Sequence, residues 1–211
     1  MENKVAVANW MNYKPGLVKD LTEKGWCVLE DFFPKELTLE ILMDFKDRLE
    51  DSEFKFSKVG RKLDKTLDLS VRNAQSTWVE LSQGSSGQKI LNEFYNSLKE
   101  FLNESFFLSL KRYESQYAFY PNGGFYKKHI DQLKNSMHRQ VTSIYYLANC
   151  DSGGELVIYN KNNKKKVDFV FKPKAGSLVV FFSALIYHEV LKNEDPRYSL
   201  TSWFRDDLII F

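Results

Sequence analysis

The second half of the chain is built from short segments in which the apolar pattern has a period of two. The segments are RYESQYAFY, VTSIYYL, GELVIY, VDFVF, GSLVVFF and RYSLTSWF, and clusters of Gly, Asn, Asp and Pro separate them. This period, together with the Val, Ile, Tyr and Phe content, is typical of β-strands that bury one face. Six short strands at such spacing predict an antiparallel jelly-roll or barrel.

The first 110 residues follow a mainly helical pattern with one early strand, WCVLE. The first predicted helix ends at Gly25, where glycine allows a left-handed cap, the second begins at Pro34, and the loop SQGSSGQ precedes the third. We expect residues 51–80 to form an irregular or hairpin region on the surface. The apolar positions of the three helices are Leu17, Val18 and Leu21; Leu37, Ile41, Phe45 and Leu49; and Ile90, Leu91, Phe94, Leu98, Phe101 and Leu102.

These patterns predict one domain over residues 1–211, of the α+β class but mainly β. Residues 1–110 would form a mostly helical support, and residues 111–208 a double-stranded β-helix, the cupin-like jelly-roll, with the helices packed on one outer face. A length of 211 residues with 43% hydrophobic residues can fill one sizeable core.

Composition narrows the classes of function. The formal net charge of +2 argues against a protein that binds mainly nucleic acid or anionic membranes. The chain shows neither a signal-peptide pattern nor a long apolar run, so we expect a cytoplasmic protein, and the sequence leaves its oligomeric state open. Cys27 and Cys150 should be thiols, neither of them a nucleophile or a zinc ligand.

The stretch KKHIDQ places Asp131 two residues after His129, one of only three histidines. On a strand, residues i and i+2 point to the same side, so the pair could present an imidazole and a carboxylate to one metal ion. Alone, this motif is weak, because two ligands hold a metal poorly and a third is needed. His138, in a polar loop, reads more simply as a surface histidine. His188 ends a strongly apolar run and needs a partner, which is either the metal or a backbone carbonyl.

Arg197 strengthens the metal interpretation. It opens the segment RYSLTSWF, in which every second residue from Arg197 to Trp203 forms an unusually polar inner face, while the alternate face can pack on helices. A buried guanidinium needs an anion. Two histidines and one carboxylate leave open positions on an iron ion for a cosubstrate, whose far carboxylate the arginine could bind.

These residues resemble the iron and 2-oxoglutarate motif of the 2-oxoglutarate/Fe(II)-dependent dioxygenases. More narrowly, FYPNGGFYKKHID, RQVTSIYYL, SGGELVIY, HEV and RYSLTSWF resemble prolyl hydroxylases of the hypoxia-inducible-factor type and their bacterial relatives, and GWCVLEDFFP and the KVGR to STWVE segment are similar too. The resemblance implies Fe(II), 2-oxoglutarate and O2, with ascorbate as a further candidate. It implies His129, Asp131 and His188 as iron ligands.

The resemblance also implies a cosubstrate pocket. Arg197 would pair with the C5 carboxylate of 2-oxoglutarate, Tyr146 would help to bind it, and Thr201 would lie on the same wall. The other positions that match the lining of the cosubstrate and substrate pocket are Tyr120, Leu156, Val190 and Trp203, and in any jelly-roll Leu156 and Val190 could equally be ordinary core residues.

Two departures from the family pattern concern the substrate. Arg72-Asn73-Ala74 stands where the hypoxia-type enzymes have Arg-Gly-Asp, and the spacing from Tyr120 to His129 is one residue shorter than in the animal enzymes. By resemblance the substrate is a prolyl residue in a protein, with elongation factor Tu as an example among bacterial relatives. The alternatives are a hydroxylase of a free amino acid or another small molecule, and a non-catalytic metal-binding jelly-roll. A nucleic-acid demethylase fits the charge less well.

Overall fold

Two antiparallel β-sheets form the body of the protein in a computed structural model that describes residues 9–57, 68–132 and 137–208. The twelve strands of these ranges are β1 (Trp26–Leu29), β2 (Lys55–Phe56), β3 (Arg72–Asn73), β4 (Gln75–Val79), β5 (Arg112–Tyr120), β6 (Phe125–His129), β7 (Arg139–Tyr146), β8 (Leu156–Tyr159), β9 (Val167–Phe171), β10 (Leu178–Phe182), β11 (His188–Val190) and β12 (Arg197–Arg205). The α-helices are α1 (Lys14–Glu23), α2 (Lys35–Glu50) and α3 (Ser86–Phe106), and short 3₁₀ helices span Asn9–Tyr13 and Leu81–Gln83.

One sheet has seven strands in the order β1-β10-β7-β12-β5-β4-β2, and the other has five in the order β3-β6-β11-β8-β9. Strands that are neighbours in space are mostly distant in sequence, as the return connections of a jelly-roll require. The predicted mainly β class is therefore confirmed.

The three helices follow the expected apolar stripes, and local sequence sets their ends. After α1, Gly25 takes φ +87°, and a Cβ there would lie 3.0 Å from Cδ1 of Ile186. Helix α3 begins at Ser86, inside the predicted SQGSSGQ loop, because Ser85 and Gln88 form a reciprocal capping box. None of the helices in the described ranges is long and apolar enough to cross a membrane.

Two apolar clusters lie on opposite faces of the seven-stranded sheet. The larger cluster packs all three α-helices on its outer face, and Leu200 and Phe204 of β12 belong to it. The smaller lies between the two sheets and includes Tyr120, Ile144 and Tyr146. The helices therefore cover one face, as predicted, and the inner face of β12 is free to carry polar residues.

For residues 51–80 the sequence predicts an irregular or hairpin region on the surface; β2 and β4 of this segment do pair antiparallel, but the segment also contributes strands to both sheets. Its strand β4 pairs with β5 in the larger sheet, and β3 pairs with β6 in the smaller one, so the chain passes from one sheet to the other at the fully buried Ala74. Their sequences, RN and QSTWV, lack the alternating apolar pattern that would reveal them. Residues 58–67, within the same segment, lie outside the described ranges.

Gln88 provides a test of how the helical layer is joined to the sheet. Its buried side-chain amide donates to Oδ2 of Asp44 in α2 at 2.7 Å and to the hydroxyl of Tyr117 in β5 at 3.1 Å. Gln88→Ala removes these bonds and the cap, so we expect the free energy of unfolding to fall by about 1–3 kcal/mol in urea titrations. The exposed Gln83→Ala is the matched control, with an expected change within about 0.5 kcal/mol. Equal effects of the two substitutions would contradict this role.

Candidate metal centre

Three side chains converge between the sheets. His129 ends β6 and His188 begins β11, and the two are paired across these strands. The Nε2 atoms of His129 and His188 lie 3.5 and 3.8 Å from Oδ1 of Asp131. One ligand atom from each residue lies within 4.8 Å of the others. Two imidazoles and a carboxylate at this spacing could hold a divalent transition metal.

Asp131 does not lie on a strand, whereas the sequence analysis predicted that it would. Strand β6 ends at His129, and Asp131 lies in the bend that follows it. The expectation that both residues share one face of a strand is therefore wrong, because a change of chain direction, and not strand alternation, brings the carboxylate back beside the imidazole.

Both imidazoles are oriented by backbone carbonyl groups. Nδ1 of His129 lies 2.8 Å from the carbonyl oxygen of Lys127, and Nδ1 of His188 lies 3.3 Å from that of Ile186. A carbonyl oxygen only accepts, so each Nδ1 carries the proton and each Nε2 presents a lone pair. Burial, and then the neighbouring His129, lower the pKa of the His188 imidazole to about 4, against the opposing charge of Asp131. Electron-pair donors that face one another in this way fit a cation between them.

The Asp131 carboxylate is held from its other side. Its Oδ2 accepts a hydrogen bond from Thr142 Oγ1 at 2.9 Å and one from Trp203 Nε1 at 3.0 Å. Burial acts to raise the pKa of this carboxyl, but positive charge on His188 or His129, when either is protonated, and the charge of Arg139 act the other way and lower that pKa below its ordinary range. The carboxylate is therefore ionised, with Oδ1 left to face the two histidines.

Tyr126 is a site residue that the sequence analysis missed. Its ring stacks on the His129 imidazole, with centroids 3.5 Å apart and an angle of 18° between the planes. Tyr126 pairs with Val190 and His129 with His188, so an irregularity in register gives β6 an extra residue at this point. A β-bulge of this kind turns both rings to one face, and nothing in the local sequence announces it.

Arg197 lies at the other end of the inner face, and only 2% of its surface is exposed. Its Nη2 donates to the hydroxyl of Tyr146 and its Nη1 to Oγ of Ser199, each at 3.1 Å. Its Nε has no hydrogen-bond partner, and among the described residues no carboxylate forms an ion pair with it. A buried guanidinium without an anion is costly. The guanidinium is therefore suited to bind a carboxylate from a ligand.

The space around the arginine is tightly packed. The guanidinium carbon lies 4.8 Å from the ring centre of Tyr120 and 4.9 Å from that of Tyr146. Gly154 takes φ +72°, and a Cβ there would lie 2.9 Å from Sγ of Cys150 and 3.4 Å from Cδ of Arg197. The positive φ and the close approach to Cys150 therefore favour glycine at this position.

Of the remaining residues considered in the sequence analysis, some lie near Arg197 and the others lie outside the metal cluster. Leu156 and Val190 are buried in the smaller apolar cluster with Tyr120 and Tyr146, while Thr201 shares the inner face of β12 with Arg197 and Trp203. His138 is half exposed and bonds to Asp206 at 2.9 Å, so the structure keeps it out of the cluster. Both cysteines, Cys27 and Cys150, are free and buried.

Comparison with known proteins finds a family whose sequences are similar to the part of the chain that contains the metal cluster. Residues 115–205 match the 2OG-Fe(II) oxygenase superfamily, and this range contains the converging triad, Tyr146 and Arg197. A Pseudomonas putida prolyl-4-hydroxylase of known structure is 28% identical, with a TM-score of 0.80 over 92% of this chain and 100% of that chain.

Two further solved structures share the fold. A prolyl hydroxylase from Trichoplax adhaerens, in complex with a hypoxia-inducible-factor oxygen degradation domain peptide fragment, is 24% identical, with a TM-score of 0.81 over 94% of this chain and 93% of that chain. A viral collagen prolyl hydroxylase from Paramecium bursaria Chlorella virus-1, as a 2OG complex, is 18% identical, with a TM-score of 0.58 over 88% of this chain and 98% of that chain. These matches confirm the predicted jelly-roll.

The pKa of His188 gives a test of the metal-free centre. In ¹⁵N-detected titrations of chelator-treated protein, we expect His188 to stay neutral, with its proton on Nδ1, down to about pH 4. The unfolded chain protonates this residue near its ordinary value of 6.5, so between pH 6.5 and 4 the unfolded state binds more protons. Acidification through this window should therefore destabilise the metal-free protein. Protonation of His188 near pH 6.5 would refute the buried, neutral imidazole.

Proposed function

Because the chain is a prolyl hydroxylase-like member of the 2-oxoglutarate/Fe(II) oxygenase superfamily, we propose that it hydroxylates a prolyl residue in a protein substrate. The protein is a dioxygenase that uses Fe(II), 2-oxoglutarate and O2. The non-catalytic jelly-roll that the sequence left open is thereby set aside. The observation that carries the proposal is that a largely buried His-Asp-His cluster lies between the same two sheets as a buried arginine with no carboxylate partner in the described part of the chain.

The residues of the centre suit this chemistry. His129, Asp131 and His188 would bind Fe(II) through Nε2, Oδ1 and Nε2, and three protein ligands leave room on the ion for 2-oxoglutarate and O2. Bound iron would activate O2, of which one oxygen atom would enter succinate as 2-oxoglutarate loses CO2 and the other would become the hydroxyl group on the substrate. The protein orients the reactants and excludes water from a buried site.

Arg197 and Tyr146 would hold the far end of 2-oxoglutarate. The tyrosine hydroxyl already accepts a hydrogen bond from Arg197, so its own proton is free for a carboxylate oxygen. Two donors of this kind, one of them charged, would replace water around the C5 carboxylate in the buried pocket. Thr201 and the apolar side chains of Leu156 and Val190 would complete the walls.

The open edge of the site favours a protein over a small molecule. Trp78 of β4 is 53% exposed, and its ring centre lies 5.9 Å from that of Trp203. Cross-strand pairing aligns Trp78 with Gln116 and Thr201, so it stands at the rim of the inner face. An exposed tryptophan beside a deep site is typical of a surface that binds a chain. The Trichoplax relative is in complex with a peptide, which supports the same conclusion.

Succinate release tests the centre. Anaerobically iron-loaded protein, given 2-oxoglutarate and then air, should form succinate, and His188→Ala should abolish this because one of three iron ligands is lost. His138→Ala is the matched control, since this exposed histidine lies outside the cluster, and it should keep the wild-type rate. Loss of activity in the control alone, or iron-independent turnover in the wild type, would contradict the assignment.

The same assay distinguishes the substrate classes. We expect succinate formation to rise with elongation factor Tu or with proline-containing loop peptides, and mass spectrometry to find one added oxygen on proline. Stimulation by free proline or another amino acid, with none by any peptide, would favour the small-molecule hydroxylase. The use of ascorbate stays a prediction, and it is tested by comparing succinate formation with and without ascorbate.

Arg197→Ala should separate cosubstrate binding from metal binding. The expected result is a rise in KM for 2-oxoglutarate of about 100-fold or more, as for the loss of a charged hydrogen-bonding partner, with iron affinity nearly unchanged. Tyr146→Phe removes one of the two donors and should give a smaller rise. An unchanged KM in Arg197→Ala would place the C5 carboxylate elsewhere.

A further inference from the structure

A charged pair, Glu114 and Arg139, lies beside the indole of Trp203. We propose that Arg139 and Glu114 are positioning residues for the metal centre: Glu114 fixes the Arg139 guanidinium, which holds Trp203 so that its Nε1–H points at Asp131 Oδ2. Oδ1 is then the oxygen left for the metal. This inference rests on the proposed function, because it takes Asp131 as an iron ligand.

Strand register explains why these residues meet. β12 lies between β5 and β7, and Trp203 is directly opposite Glu114 on one side and Thr142 on the other. Directly opposed residues in antiparallel strands point to the same face of the sheet. The row Glu114–Trp203–Thr142 therefore presents two donors to the same oxygen of Asp131 and places a carboxylate beside them.

Arg139 is held firmly in this row. Its Nε and Nη2 donate to Oε1 of Glu114 at 3.0 and 2.7 Å, and Nη1 of Arg205 donates to the same oxygen at 3.1 Å. The guanidinium carbon lies 3.8 Å from the ring of Trp203. Two bonds from one edge of a guanidinium to a single oxygen fix the plane of the guanidinium, and a cation over an indole is attracted to its face. The indole therefore has a rigid surface on this side.

The opposite side of the indole is much less confined. The neighbour there is Trp78, which is 53% exposed, with its ring tilted by 59° to that of Trp203. Arg139 is thus the contact best able to keep the indole in the orientation that donates to Asp131. If the indole turned, only Thr142 would hold Oδ2, and the carboxylate would be freer to rotate.

A purely structural role for the pair can be separated from positioning, because the same corner contains a second ionic contact. Asp207 binds Arg205 through two bonds of 2.8 and 2.7 Å and forms an ion pair with Arg112 at 3.2 Å, and no hydrogen bond or ion pair joins it to Arg139 or Trp203 among the described residues. The Asp207–Arg205 contact and the Glu114–Arg139 contact both lie near the end of β12 and the beginnings of β5 and β7. Asp207→Asn is therefore a matched control: it removes a charge beside Arg205 but leaves the contact between Glu114 and Arg139 in place.

Co(II) affinity, measured anaerobically from the visible absorption of the bound ion, tests the proposal without turnover. Glu114→Gln and Arg139→Leu should each weaken Co(II) binding by about 10-fold or more, as is usual when partners behind a metal ligand are removed. Asp207→Asn should match the wild type. Arg139→Lys should recover only part of the affinity, since an ammonium group cannot make the paired bonds.

A double variant shows whether the effect passes through the indole. If Arg139 acts on Asp131 through Trp203, then Arg139→Leu should weaken Co(II) binding no further in a Trp203→Phe background. Additive losses, or wild-type affinity in the folded Glu114→Gln protein, would overturn the positioning role while leaving the centre intact. Failure of the wild-type protein to bind Co(II) at all would instead overturn the proposed function, and the positioning role with it. Near-ultraviolet circular dichroism of each variant confirms that it is folded.

Discussion

The alternation of side chains along β12 is the constraint on which the rest of the structure depends. This strand lies inside the seven-stranded sheet, and both of its faces are covered. Leu200 and Phe204 pack under the helices, whereas Arg197 and Trp203 face the other sheet. A slip of one residue would place the guanidinium among apolar helical residues, so the register of β12 is strongly specified. The same register sets the positions of Tyr146 and Thr142 on β7.

The buried charges at the two ends of the inner face, Asp131 and Arg197, differ in how they are paired. Asp131 receives donors from Thr142 and Trp203 on one oxygen and faces two imidazoles with the other. Arg197 keeps an unpaired Nε and lacks a carboxylate partner within the described ranges. In the proposed function, the first arrangement would present an anion to a metal, and the second would leave a cation for a carboxylate. 2-Oxoglutarate would link the two ends, and with them the two sheets, since the histidines belong to the smaller sheet and Arg197 to the larger.

The errors of prediction share one origin. Strands β5 and β9 were predicted with the bounds that the structure shows, because their alternating patterns are long or clearly delimited. By contrast, β3 and β4 were missed, Asp131 was assigned to a strand, and Tyr126 was not recognised. Each of these depends on a change of direction, a sheet crossing or a bulge, and these features depend on distant pairing partners more than on local composition.

The sequence by itself determined the mainly β fold and the face of β12 that carries the polar residues, and through spacing and family resemblance it predicted His129, Asp131, His188 and Arg197 as the candidate site. These follow from periodicity and from motifs that a linear chain displays. Only the tertiary structure decided which oxygen of Asp131 faces the histidines, that Tyr126 stacks on His129, and that Arg139 and Glu114 lie beside Trp203. The physical reason is that hydrogen-bond partners and ring contacts are set by cross-strand register and side-chain rotamers, which join residues far apart in sequence.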